Sequence, residues 1–222
     1  MEYIRDFIIH TEDGKAHYDK EKLDLILKCL HNETLLQETS KKIYVGVDPL
    51  YLYINYFNKL KSLFDLKINI IELGFGEFPI MSFLIDHEQT ILNHGHITAY
   101  DAVSQPYNKL DIDLSWQTPI APLGNIHYKF SRLNRNTILP NYDLIFGIKT
   151  CSGLTEIIRL ANRDKKDFFL VPCDCYPPEF VNYLYNIAKE GTNNDSEIII
   201  DDSFSKEYPI LARRKKSKTP NL

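Results

Sequence analysis

With 222 residues the chain has enough length for one α/β domain with a substantial core. Its composition, 44% apolar and 25% charged, excludes wholesale disorder. The formal net charge of −4 excludes a global positive field that would draw the whole molecule onto nucleic acid.

The four cysteines, Cys29, Cys151, Cys173 and Cys175, form no disulfide framework at this length, so a reducing compartment is expected. The first ten residues are charged and mixed, without the apolar centre of a secretory signal. No apolar stretch reaches the roughly 20 residues that span a bilayer. The expectation is a soluble cytoplasmic protein with no membrane partner.

In chain order, the spacing of Leu23, Ile26, Leu27 and Leu30 predicts an amphipathic helix over 19–30. A second helical region is predicted over 44–64, with Pro49 near its start. These two make a helical N-terminal cap, residues 1–66. From residue 68 strands and helices alternate. Strands are expected at 68–73, 96–101, 126–130, 142–148 and 167–172, and helices at 78–92, 153–162 and 178–189, the last stopping at Gly191. Two further β runs, 197–200 and 208–212, are joined without a helical pattern and read as an antiparallel pair. The fold class is α/β: a Rossmann-like, mostly parallel seven-stranded sheet over 67–216, with helices on both faces and the antiparallel pair at its end. Arg213-Arg214-Lys215-Lys216 reads as part of a solvated basic tail, and 217–222 as its disordered end.

The most informative stretch is Glu72-Leu73-Gly74-Phe75-Gly76, between an apolar strand and a helix that opens near Pro79. An acid at a strand end followed by two glycines lets backbone N–H groups approach a nucleotide closely. A second acid, Asp101, closes the next strand.

These features resemble the class I, Rossmann-like S-adenosylmethionine-dependent methyltransferases. The acidic-x-Gly-x-Gly turn, the acid ending the second strand and the terminal strand pair carry the resemblance, over roughly 67–216. It implies S-adenosylmethionine as cofactor, with Glu72, Gly74 and Gly76 lining the methionine side and Asp101 on the ribose hydroxyls. The third glycine of the family's loop is replaced here by Glu77-Phe78. The implied activity is methyl transfer to an RNA or small-molecule acceptor, with a homodimer as a compatible assembly. The alternative is a catalytically silent, methyltransferase-like binding or scaffold protein.

Ligands of open parallel sheets lie beyond the carboxyl ends of the strands. Two such ends are rich in reactive groups, Lys149-Thr150-Cys151-Ser152 and Cys173-Asp174-Cys175-Tyr176. Lys149, Cys151 and Asp174 are therefore the candidate catalytic residues. Thr150-Cys151-Ser152 is also similar to short motifs of RNA 5-methylcytosine methyltransferases, which implies a thiolate nucleophile at Cys151. Cys173-x-Cys175 lacks the paired spacing of a zinc site, so no metal is expected. Tyr51, Tyr53, Tyr56 and Phe57 either stack on a planar substrate or pack the cap against the sheet.

Overall fold

The computed structural model describes residues 8–10, 16–39, 42–45, 48–74, 79–92, 96–101, 125–130, 134, 136–150 and 153–216. The N-terminal part contains a small hairpin, β1 (Ile8–His10) with β2 (Ala16–Tyr18), and the helices α1 (Lys20–Leu30) and α2 (Glu33–Thr39). Asp19 caps α1 by accepting from the N–H groups of Glu21 and Lys22 at 3.1 and 3.2 Å. The helix expected over 44–64 is shorter than that. A two-residue antiparallel pair, β3 (Tyr44–Val45) and β4 (Asp48–Pro49), precedes α3 (Leu50–Leu63). Pro49 is the N-cap, where a fixed φ suits a helix start and no donor is lost from the ladder.

Next come β5 (Asn69–Leu73), α4 (Ile80–Leu92), β6 (His96–Asp101), β7 (Ile126–Phe130), β8 (Leu144–Thr150), α5 (Leu154–Asp164), β9 (Asp167–Pro172), α6 (Glu179–Glu190), β10 (Ser196–Asp201) and β11 (Ile210–Lys215). Seven of these strands form one sheet in the order β10-β11-β9-β8-β5-β6-β7. The central pairings are parallel, whereas β11 lies antiparallel between β9 and β10. The order reverses between β5 and β8, so the sheet has its switch point there.

Alternation along each strand sorts side chains to two faces. Ile70, Phe146, Phe169 and Ala212 meet α1, α3 and α4, while Ile71, Ile145, Phe168 and Leu211 meet α5 and α6. The cap shares the first of these cores: Leu50, Ile54, Phe57 and Leu60 of α3 are all at most 2% exposed. Among the described residues no helix is long and apolar enough to cross a membrane.

The basic run is not a solvated tail. Arg213 lies inside β11 and is 3% exposed. Its guanidinium donates to the side-chain oxygen of Asn162 and to the backbone carbonyls of Gly191 and Lys166, and it stacks 5.2 Å from the Phe168 ring centroid. Gly191 ends α6 as expected, but for another reason. Its φ is −97°, and a Cβ there would stand 2.1 Å from the Asn162 side chain.

Candidate functional site at the carboxyl edge of the sheet

The switch point begins at the end of β5. Gly74 has φ 72°, a left-handed conformation that costs a side-chain-bearing residue about 1–2 kcal/mol. A Cβ on it would also lie 2.5 Å from Cγ2 of Thr150, so the turn and the end of β8 touch through the missing side chain. Glu72, 4% exposed, accepts from the Ser82 N–H at 3.1 Å and from the Ser82 hydroxyl. Ser82 stands in the first turn of α4, where N–H groups lack helical partners and a negative charge is favoured. The strand-end acid thus fixes the angle between β5 and α4 across the loop. Asp101 closes β6 one position past the Leu73–Tyr100 pairing, beside the same turn. Gly76 and Cys151 lie outside the described residues.

Lys149 and Asp174 do come together. The Lys149 ammonium donates to Asp174 at 3.1 Å, from a side chain only 13% exposed. Strict alternation along β8 would send Lys149 to the α5 face, with Ile145 and Gly147. It does not point there, because Lys149 itself is left-handed, φ 55°, at a register shift between Ile148 and Thr150. The irregularity re-aims its side chain toward the α3 face, a common use of bulges beside functional sites. Burial works against the charge on Lys149. The hydrogen bond to Asp174 and the nearby Asp48 carboxylate outweigh it and hold the pKa above the usual lysine value. Lys149 is therefore held in its charged form by Asp174 and Asp48. The same hydrogen bond holds Asp174 below the usual carboxylate value.

Further side chains near Lys149 and Asp174 come from the cap and from the β10–β11 connection. Tyr53 and Tyr56 are 9% and 4% exposed, and burial raises both phenol pKa values, so both stay neutral. Tyr56 meets the Phe204 ring edge-on at 5.7 Å, and Lys59 pairs with Asp201 at 2.5 Å, which ties α3 to the end of β10. The Tyr208 hydroxyl donates to the Asp174 carbonyl at 3.2 Å and to the Tyr176 carbonyl at 2.9 Å, bracing the turn that carries Asp174. The Cys175 N–H donates to the Cys173 sulfur at 3.5 Å within that turn. Among the described residues no group of three or more metal-ligating side chains converges.

Seven strands in this order, with the last inserted antiparallel beside the fifth of the series β5, β6, β7, β8, β9, settle the architecture. The chain has the class I methyltransferase fold. A methyltransferase from Pyrococcus furiosus is similar in structure, with a TM-score of 0.51 at 13% identity, over 88% of this chain and 98% of that one. A methyltransferase described as putative, from Pseudomonas syringae, matches 75% of this chain and 99% of its own at 12% identity and a TM-score of 0.47. The magnesium protoporphyrin IX methyltransferase of Synechocystis, solved with SAH bound, matches 75% of this chain and 83% of its own at 13% identity and a TM-score of 0.44. No family model and no curated protein matches the sequence.

Within this methyltransferase fold, the strand-end rule led to Lys149 and Asp174 but not to Asp48. A half-buried Asp48 stands in β4, near enough to Lys149 and Asp174 to feel both charges. Its signal in the sequence is slight, an acid before the proline that opens a helix. A separate open groove of about 550 Å3, lined by Asp24, Leu27, Lys28, His31, Asn32, Leu35 and His87, lies where α1, α2 and α4 meet and includes none of these strand-end residues.

Proposed function

We propose that the protein transfers a methyl group from S-adenosylmethionine to an acceptor held at the carboxyl ends of β8 and β9. The observation that carries this reading is the left-handed Gly74 turn at the switch point of a sheet with this strand order. The residues there fit the cofactor. The Thr150 hydroxyl oxygen, beside Gly74, is buried without a hydrogen-bond partner among the described residues, a need that a polar ligand would meet. Asp101 would accept from the ribose hydroxyls, and Glu72, through Ser82, would hold the loop at its angle. When bound, the cofactor supplies an electrophilic methyl carbon. The chain's own part is to align the acceptor in line with it and to exclude water. Lys149 and Asp174 would orient the acceptor, and Cys173 shares the turn of Asp174.

Isothermal titration with S-adenosylmethionine and S-adenosylhomocysteine tests the reading directly. Binding of both is expected, with Asp101→Ala and Gly76→Val each weakening affinity by about tenfold or more. The first removes the ribose acceptor and the second obstructs the loop. Absence of heat with either ligand at millimolar concentration would leave a scaffold in place of an enzyme. Unchanged affinity in the folded variants would move the cofactor elsewhere.

A further inference from the structure

One polar group at the switch point is withdrawn from water without a partner. Thr150 ends β8 and is 3% exposed, and among the described residues its hydroxyl makes no hydrogen bond. Its methyl group has an evident place. A Cβ on Gly74 would stand 2.5 Å from Thr150 Cγ2 and one on Gly147 would stand 3.3 Å from it, so the methyl fills the space that two glycines leave. Packing does not account for the hydroxyl, because valine has the same shape and nothing to satisfy. A buried hydroxyl without a bond is costly, and such exceptions in native folds call for a reason.

The position of Thr150 in the sheet supplies one. The pairing of Leu73 with Tyr100 sets Gly74 level with Asp101 on β6, and Thr150 touches the same glycine from β8. Asp101 and Thr150 therefore flank the turn on the two strands either side of β5. Neighbouring strands lie about 4.8 Å apart, which separates the two residues by roughly 10 Å.

Resting on the methyltransferase reading, in which Asp101 takes the ribose hydroxyls, we propose that Thr150 is a positioning residue whose hydroxyl binds the amino-acid end of the cofactor. Asp101 holds one end of that ligand from β6, and Thr150 holds the other from β8. A hydroxyl both donates and accepts, so it can bond the carboxylate or the ammonium of the amino acid, and the charge strengthens either bond. Thr150 takes no part in the displacement itself. It fixes where the methyl donor sits along the Gly74 turn, and that alignment is what the chain contributes to the reaction.

The test pairs calorimetric titration with thermal melting of the full chain. Thr150→Val keeps the shape and deletes the hydroxyl, whereas Thr150→Ser keeps the hydroxyl. Thr150→Val is expected to weaken S-adenosylhomocysteine binding by about tenfold. It should leave 5′-methylthioadenosine, which shares the nucleoside but has no amino acid, within about twofold. Thr150→Ser is expected to hold S-adenosylhomocysteine affinity within about threefold of the native protein. Without ligand, Thr150→Val should melt about 2–4 °C higher than the native protein, because an unsatisfied group is gone. Equal losses for the two ligands would put the hydroxyl on the nucleoside or in the fold, and a lower-melting Thr150→Val would reveal a partner within the protein. Either result overturns the proposal, as does a Thr150→Ser that loses as much affinity as Thr150→Val. S-adenosylhomocysteine binding that ignores Thr150→Val ends the proposal alone, whereas a native protein that binds neither ligand ends the methyltransferase reading with it.

Discussion

Lys149 and Asp48 each carry a local cost to stability, and each lies near enough to feel the other's charge. At Lys149 the cost is conformational, because a left-handed backbone crowds any Cβ. Strain of this kind persists where the surroundings over-determine it, and functional sites are where it collects. Lys149→Gly should therefore exceed Lys149→Ala in stability by about 1 kcal/mol, although both lose the ammonium. Urea denaturation of the two variants checks this, and the opposite order would show the bulge to be unstrained. At Asp48 the cost is electrostatic. Burial, opposed in part by Lys149, leaves its pKa above the usual 3.8, so the folded protein holds that proton more tightly than the unfolded chain does. The penalty is absent below pH 3.8 and grows as the pH rises above it. Asp48→Asn should thus melt higher than the native protein at pH 7, and the gain should fade as the pH falls through that range. A variant that melts lower at pH 7 would show that the Asp48 carboxylate is stabilised by its surroundings and overturn this expectation.

Among the elements, β11 shows how a charged residue becomes structural. Arg213 collects acceptors from three places: the side chain of Asn162, 51 positions away, the carbonyl of Gly191, 22 away, and the carbonyl of Lys166, 47 away. Burial lowers its pKa, yet it remains the donor that satisfies the ends of α5 and α6. Arg213→Ala should cost about 3 kcal/mol, since it strands buried acceptors, whereas Arg214→Ala, which loses only a half-exposed pair with Glu197, should stay within about 0.5 kcal/mol. Equal losses in thermal melts would contradict this division. The basic run misled the sequence reading because those partners are scattered along the chain and converge only when the sheet closes. The buried strands were legible for the opposite reason. Apolar runs bounded by turn residues put His96–Asp101, Ile126–Phe130 and Asp167–Pro172 where the fold has them. The two-residue β3 and β4 are too short to leave a period, and α2 buries no residue, so neither left a pattern to find. The site followed the same logic. Lys149 and Asp174 sit at strand ends, which an open parallel sheet marks for ligands, while Asp48 arrives from the cap through tertiary packing alone.

At the scale of the whole molecule, the question is whether the cap is an accessory or part of the folding unit. Tyr56 and Asp48 lie near Lys149 and Asp174, and the same segment carries the core residues Leu50, Ile54, Phe57 and Leu60. Burying four such side chains contributes about 6–12 kcal/mol, at roughly 1.5–3 kcal/mol each. That rivals the entire net stability of a domain, about 5–15 kcal/mol. The sheet face beneath α3 would lose its cover as well, exposing Phe169, whose ring Phe64 now meets edge-on at 6.4 Å. A chain cut to begin at residue 67 should therefore fail to fold, with no cooperative transition in urea. The full chain should unfold in one step, its near-ultraviolet tyrosine signal and far-ultraviolet helix signal fading together. A truncated sheet that melts cooperatively, or a tyrosine signal lost first, would make the cap a detachable lid. The site would then have to be assembled anew at each closure instead of being built into the core.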